Sequence, residues 1–167
     1  MLLFVLAIPL ALAPSMQSSA TDVTIDNLAA SARSQFRGVV SADQEVATPP
    51  VDSDARGHVR VAISTEDSTI RVQVTVTHLT GPATGAHLHL GAPGTNGEIV
   101  VDLSSAITQH NPHGAKIQAT LMGSAVEGSL GTERDPLGAL LRALRAGDIY
   151  FNVHTEAYPG GEARGQL

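Results

Sequence analysis

The sequence has no cysteine and no tryptophan. Without thiols it can form no disulfide and no thiolate metal site, and no lipid can be joined to an N-terminal Cys, so any bound metal must be held by nitrogen and oxygen. Aromatic residues make up only 3%, which leaves the interior to Val, Leu, Ile and Ala and offers no platform for stacking bases or sugars. Charge is also scarce, at 16% with a formal net charge of −6. No run of Lys or Arg marks a patch that would release counterions from phosphate, and nucleic acid is not expected as a partner. What is plentiful is apolar side chain, 43% of the total, enough to offset the entropy of ordering and to argue against disorder.

The 167 residues suit one domain of ordinary size once the beginning is set aside. Residues 1–20 carry no charge and open with the apolar run 2–13. That run is too short to span a bilayer and reads as the h-region of a signal peptide, with a small-x-small cleavage site at Ser18-Ser19-Ala20. The n-region lacks its usual Lys or Arg, so retention as an anchor is the alternative. A secreted or periplasmic location is expected, with no stable membrane span if the signal is cleaved. Residues 21–34, polar and rich in small side chains, read as a leader or linker, and residues 35–167 as the folded domain.

The strand pattern over residues 69–79 sets the fold class. Ile70, Val72, Val74 and Val76 alternate with Arg71, Gln73, Thr75 and Thr77, the period of a strand with one buried and one wet face. Strands are also expected over 36–40, 57–63, 86–90, 98–103, 116–121, 148–154 and 162–167. Turn chemistry at Thr48-Pro49-Pro50, Glu66-Asp67-Ser68 and Thr80-Gly81-Pro82 favours antiparallel pairing. The expectation is a mainly β fold, an antiparallel Greek-key sandwich or barrel. One short helix is expected near the C-terminus: Asp135 can cap it, Pro136 suits its first turn, Leu137, Leu140, Leu141 and Leu144 form its apolar stripe, and Gly147 ends it.

Chemistry is concentrated in histidine, of which there are seven. His87 and His89, two apart on one strand, project to the same side, while Leu88 and Leu90 turn to the core. In the strand near residue 150, Phe151 and Val153 can face the core and leave Tyr150, Asn152 and His154 on the other face. If the two strands lie together, His87, His89 and His154 make an all-nitrogen site suited to copper or zinc and unsuited to calcium or magnesium. In the competing reading these imidazoles hydrogen-bond to carbonyls and staple the loops at 91–94 and 157–161. His58 and His78 read as surface or edge residues. His110 and His113 read as loop residues with a fourth ligand as the alternative. Glu98, Asp102, Glu156 and Glu162 define no acid/base pair, Ser104 and Ser105 lack a nucleophile elbow, and no catalytic residue or organic cofactor site is assigned.

The segment Gly85-Ala86-His87-Leu88-His89-Leu90-Gly91-Ala92-Pro93-Gly94, together with residues 147–167 and the opening strand from Phe36 to Pro50, resembles the CHRD domain, first named from chordin. The resemblance covers about 36–167. It implies an extracellular or periplasmic β-sandwich acting as a binding or structural module for an unidentified extracytoplasmic ligand or a metal ion. A more distant similarity is to copper/zinc superoxide dismutase. It implies copper on His87, His89 and His154 with Arg164 nearby to attract an anion, although the chain shows no zinc-binding loop and no secure counterpart of the bridging histidine. Three functions are therefore carried forward: a binding module with a three-histidine metal site, a copper enzyme, and a metal-free structural domain of the cell envelope.

Overall fold

The computed structural model describes residues 34–167. The expected signal segment, and all of the expected leader except its last residue, lie outside the described residues. Nine strands follow in order: β1 (Gln35–Ser41), β2 (Arg56–Ser64), β3 (Thr69–Thr77), β4 (Ala83–Leu90), β5 (Glu98–Asp102), β6 (Ile107–Asn111), β7 (Gly114–Met122), β8 (Ile149–Thr155) and β9 (Ala163–Gln166). All pairings are antiparallel, in the order β5-β4-β8-β9-β1-β2-β3-β7-β6.

The sheet curls into a half-barrel. The β1–β9 junction is thin, with Ser41 opposite Arg164 as its one paired position, and a single apolar cluster draws on both sides of it. Leu88, Phe151 and Val153 come from β4 and β8, while Val61, Val72 and Val74 come from β2 and β3. Each large side chain so buried is worth about 1.5–3 kcal/mol. The alternation in β3 is realised side chain by side chain, with Ile70, Val72, Val74 and Val76 buried and Arg71, Gln73, Thr75 and Thr77 exposed.

Two helices lie between β7 and β8: the single turn α1 (Gly128–Gly131) and α2 (Pro136–Ala146). In α2 the Asp135 carboxylate accepts from the Gly138 N–H at 2.9 Å. Gly147 closes the helix in the left-handed region at φ 77°, and all four stripe leucines are buried. Residues 107–111 depart from the sequence reading, which left His110 and His113 in a loop. They form the edge strand β6, hairpinned to β7, with Pro112 and His113 at the turn. An edge strand of five residues pairs on one side only, so it need not show the two-faced alternation by which strands are recognised. Among the described residues no helix is long and apolar enough to cross a membrane.

Candidate metal centre

The β4–β8 ladder builds the site. Its register places Gly85 opposite His154, His87 opposite Asn152 and His89 opposite Tyr150, so His154 is the diagonal neighbour of His87 across the strand pair. Ala86, Leu88, Phe151 and Val153 are fully buried on the core side, which turns His87, His89 and His154 outward. Gly85 keeps the corner open, since a Cβ there would already touch the His87 and His154 rings at 3.4 and 3.5 Å. The His87 ring centroid is 5.6 Å from that of His89 and 4.9 Å from that of His154. One ring nitrogen from each of the three lies within 4.8 Å of the other two.

Hydrogen-bond accounting shows which nitrogens are free. His89 Nδ1 lies 3.0 Å from the Gly97 carbonyl, and His154 Nδ1 lies 2.9 Å from the Pro159 carbonyl. A carbonyl only accepts, so both Nδ1 atoms carry the hydrogen and both Nε2 atoms present a lone pair. The His154 lone pair accepts from His87 Nδ1 at 3.0 Å. The His89 Nε2 is buried and has no partner. The staple reading and the metal reading thus use different nitrogens of the same rings: the loop carbonyls fix tautomer and orientation, and the inward nitrogens converge.

His87 is the adjustable member. With Nδ1–H given to His154, its Nε2 accepts from the Ser104 hydroxyl at 3.4 Å, and Asp102 Oδ1 stands 3.7 Å away. Moving the ring proton to Nε2 would direct it at Asp102 and Ser104 and free Nδ1, the carboxylate–histidine arrangement that supports many metal-ligating imidazoles. Burial, reinforced by the neighbouring His154 and His89 rings, holds His87 down at about 4. Burial also lowers His89 and His154, against the raising effect of their bonds to Gly97 and Pro159. Three neutral imidazoles at neutral pH have no proton to shed before binding.

The surroundings are braced from the side. The Tyr150 ring stacks on His89 with centroids 4.7 Å apart, and the Arg164 guanidinium lies 3.4 Å over the other face of Tyr150. Arg164 is 1% exposed. It donates to the Thr95 carbonyl at 2.7 Å, the Ala92 carbonyl at 3.2 Å and Gln166 Oε1 at 2.9 Å. The anion-attracting role that the dismutase similarity implied is therefore not what the fold gives Arg164. Its donors are turned onto the carbonyls of Ala92 and Thr95, and it pins that loop. Asn152 donates to Glu45 at 2.6 Å, and burial pushes the Glu45 carboxyl up to about 7 against the pull of Asn152 and Arg164.

Among the described residues, His58, His78 and His113 are not part of this cluster. His58 is exposed on β2, Arg56 donates to His78 Nε2 at 3.3 Å, and His113 Nδ1 donates to the Leu79 carbonyl at 2.8 Å. Of the four carboxylates singled out in the sequence, Asp102 stands beside His87, Glu98 accepts from the Ser129 N–H at 3.1 Å, and Glu156 is exposed. Glu162 is wholly buried. It accepts from Ser53 Oγ at 2.6 Å, the Thr80 N–H at 2.7 Å, Thr80 Oγ1 at 2.8 Å and Thr155 Oγ1 at 2.5 Å. Sequence reasoning missed this cage, because its donors come from three separate segments.

In comparisons with known proteins, a family model described as CHRD domain matches residues 36–167. No curated protein and no solved structure matches.

Proposed function

The chain belongs to the CHRD-domain family, and from that premise we propose that it is an extracytoplasmic binding module that takes up one transition-metal ion on His87, His89 and His154. The observation that carries this reading is the buried, unpartnered Nε2 of His89, on a ring one of whose nitrogens lies within 4.8 Å of a ring nitrogen from each of the other two. A buried polar atom without a partner costs roughly 1–3 kcal/mol, and a cation satisfies it together with the His154 lone pair. The donor set fits the group, since neutral imidazoles suit copper(II), which heads the order of divalent affinities, and also zinc(II). The 4.8 Å span is about 1 Å wider than nitrogens sharing one ion at ~2 Å require, a gap that small ring rotations close.

The residues divide the work. The Gly97 and Pro159 carbonyls fix His89 and His154, Asp102 and Ser104 receive the His87 proton, and Tyr150 with Arg164 shields the His89 ring. Bound copper would supply Lewis acidity and one-electron chemistry. The copper-enzyme alternative must do without Arg164 as an anion guide, and the structural alternative rests on the two loop staples alone.

Titration of untagged, chelator-treated protein with copper(II) and zinc(II) by calorimetry separates the three. The expected result is one equivalent bound at micromolar Kd or tighter, lost in His87→Ala and His89→Ala variants that keep the wild-type circular dichroism spectrum. Absence of uptake by the wild type leaves the structural module. Superoxide turnover by the loaded protein above that of free copper would promote the enzyme reading over simple binding.

A further inference from the structure

The strands β1, β2, β3, β6 and β7 contain no Asp or Glu, yet they carry Arg37, Arg56, Arg60, Arg71 and Lys116. That is half of the ten Lys and Arg residues in a chain of net charge −6. All five are exposed, on the face turned away from the apolar cluster. The registers align them in rows that no single stretch of sequence reveals. Arg37 stands opposite Arg60, which stands opposite Gln73 and then Gln118. One row away Arg71 pairs with Ala62, diagonal to Arg60, and on the other side Val39, His58, Thr75 and Lys116 form the next row. Strands about 4.8 Å apart spread this face over roughly 14 Å across four strands.

Like charges placed opposite one another weaken a sheet, and none of Arg37, Arg60, Arg71 or Lys116 has an ion pair or side-chain hydrogen bond among the described residues. A shallow groove of about 570 Å³ crosses the face between Arg37, Arg60, His58 and Lys116. It is continued by a smaller hollow of about 190 Å³ at Arg60 and Arg71.

We propose that this face binds an extended polyuronate, an acidic polysaccharide with a carboxylate on its sugars. Four of the five cations are arginines, whose planar forks match carboxylates in bidentate fashion. Gln73, Gln118, Thr75 and Thr120 stand between them as donors and acceptors for sugar hydroxyls. The described outward positions of these strands hold no Phe, Tyr or Trp, only the His58 imidazole, and no helix to enter a duplex groove, which disfavours nucleic acid and leaves sugars to be held by charge and hydrogen bonds rather than by stacking. The chain as a whole is acidic, so this concentration of cations is where a polyanion would be drawn. The face lies on the half of the sheet that does not contain the histidine cluster, and its function stands independently of metal.

The test uses calorimetry and affinity electrophoresis of the full chain with polygalacturonate. Wild type is expected to bind, with log K falling linearly against log salt. Arg37→Gln and Arg60→Gln are each expected to weaken binding about tenfold, as for loss of one charge-assisted contact, and to reduce the salt slope by roughly one apiece. Arg134→Gln/Arg142→Gln, on exposed positions elsewhere, and His89→Gln should bind like wild type. All variants are checked for unchanged thermal unfolding. Failure of wild type to bind at low salt, or unaltered binding by the Arg37 and Arg60 variants, overturns the proposal. So does equal or tighter binding of polyphosphate or single-stranded DNA, or a wild-type dimer that the same substitutions dissociate.

Discussion

Replacing Glu162 by Gln should destabilise the protein by about 2 kcal/mol, and replacing it by Ala by about 4 kcal/mol. The side chain is wholly buried and receives four hydrogen bonds of 2.5–2.8 Å from Ser53, Thr80 and Thr155. The Thr80 N–H cannot turn away, so the oxygen of a Gln amide must take the Oε1 position, where Ser53 also donates. Its NH2 then meets two threonine hydroxyls, which can rotate to accept. Four contacts survive without charge assistance, and about 0.5 kcal/mol lost on each gives the figure for Gln. In Ala all four donors lose their acceptor and a cavity is left where the wholly buried side chain stood, which roughly doubles the loss. Desolvation works in the opposite direction, since a buried charge is costly and its removal can be neutral or favourable when it is poorly paired; with four donors on one carboxylate, pairing outweighs it here. Thermal unfolding at fixed pH should show Tm falling by roughly 8 °C for Gln and 15 °C for Ala. A Gln variant as stable as wild type, or an Ala variant no worse than Gln, would refute the reasoning.

Glu45 gives a pH signature. Its carboxyl sits at about 7 in the fold against an ordinary value of 4.5, so the native state favours the protonated form. Its contribution is fully present below about 4.5 and is lost as pH rises through 7. Guanidinium unfolding across pH 5–9 should therefore show Glu45→Gln gaining on wild type from about pH 5 to 7 and keeping that gain above 7, and curves that stay parallel from pH 5 to 7 would contradict this. Gly97→Ala drives a Cβ into the Leu90 carbonyl oxygen, which must displace the loop whose carbonyl holds His89. Stability should drop by more than about 2 kcal/mol, and copper uptake should weaken with it, whereas wild-type uptake would dissociate the loop from the site. Asp135→Ala removes the α2 cap and should cost about 1 kcal/mol in urea titration. No measurable change would mean that the Gly138 N–H finds water instead.

The elements that bury one face were legible because their patterns are local. Ile70 to Val76 alternate through a whole strand, and Asp135, the four leucines and Gly147 mark both ends and the inner face of α2 in one short stretch. Edge strand β6 left no such trace, since its pairing partner lies on one side only. Within the site, the outward projection of His87, His89 and His154 follows from strand period alone, and so does the core-facing role of Phe151 and Val153. Their meeting does not. It depends on the register that sets Gly85 opposite His154, a long-range pairing across more than sixty residues of chain. The same holds for Arg164: the dismutase similarity implied anion steering, but the carbonyls of Ala92 and Thr95 that claim it come from a distant loop. The cationic rows on β1, β2, β3 and β7 are invisible to a search for basic runs, because each strand contributes one or two charges and only the sheet sums them.

The most direct test of the account is to count imidazoles on bound copper(II) by electron spin-echo modulation of the loaded, untagged protein. Three coordinated ring systems in wild type, falling to two in His89→Gln, is the predicted result. One imidazole or none, or a wild-type spectrum that survives substitution of His87, His89 and His154 in turn, would contradict the convergence of these rings on a single ion.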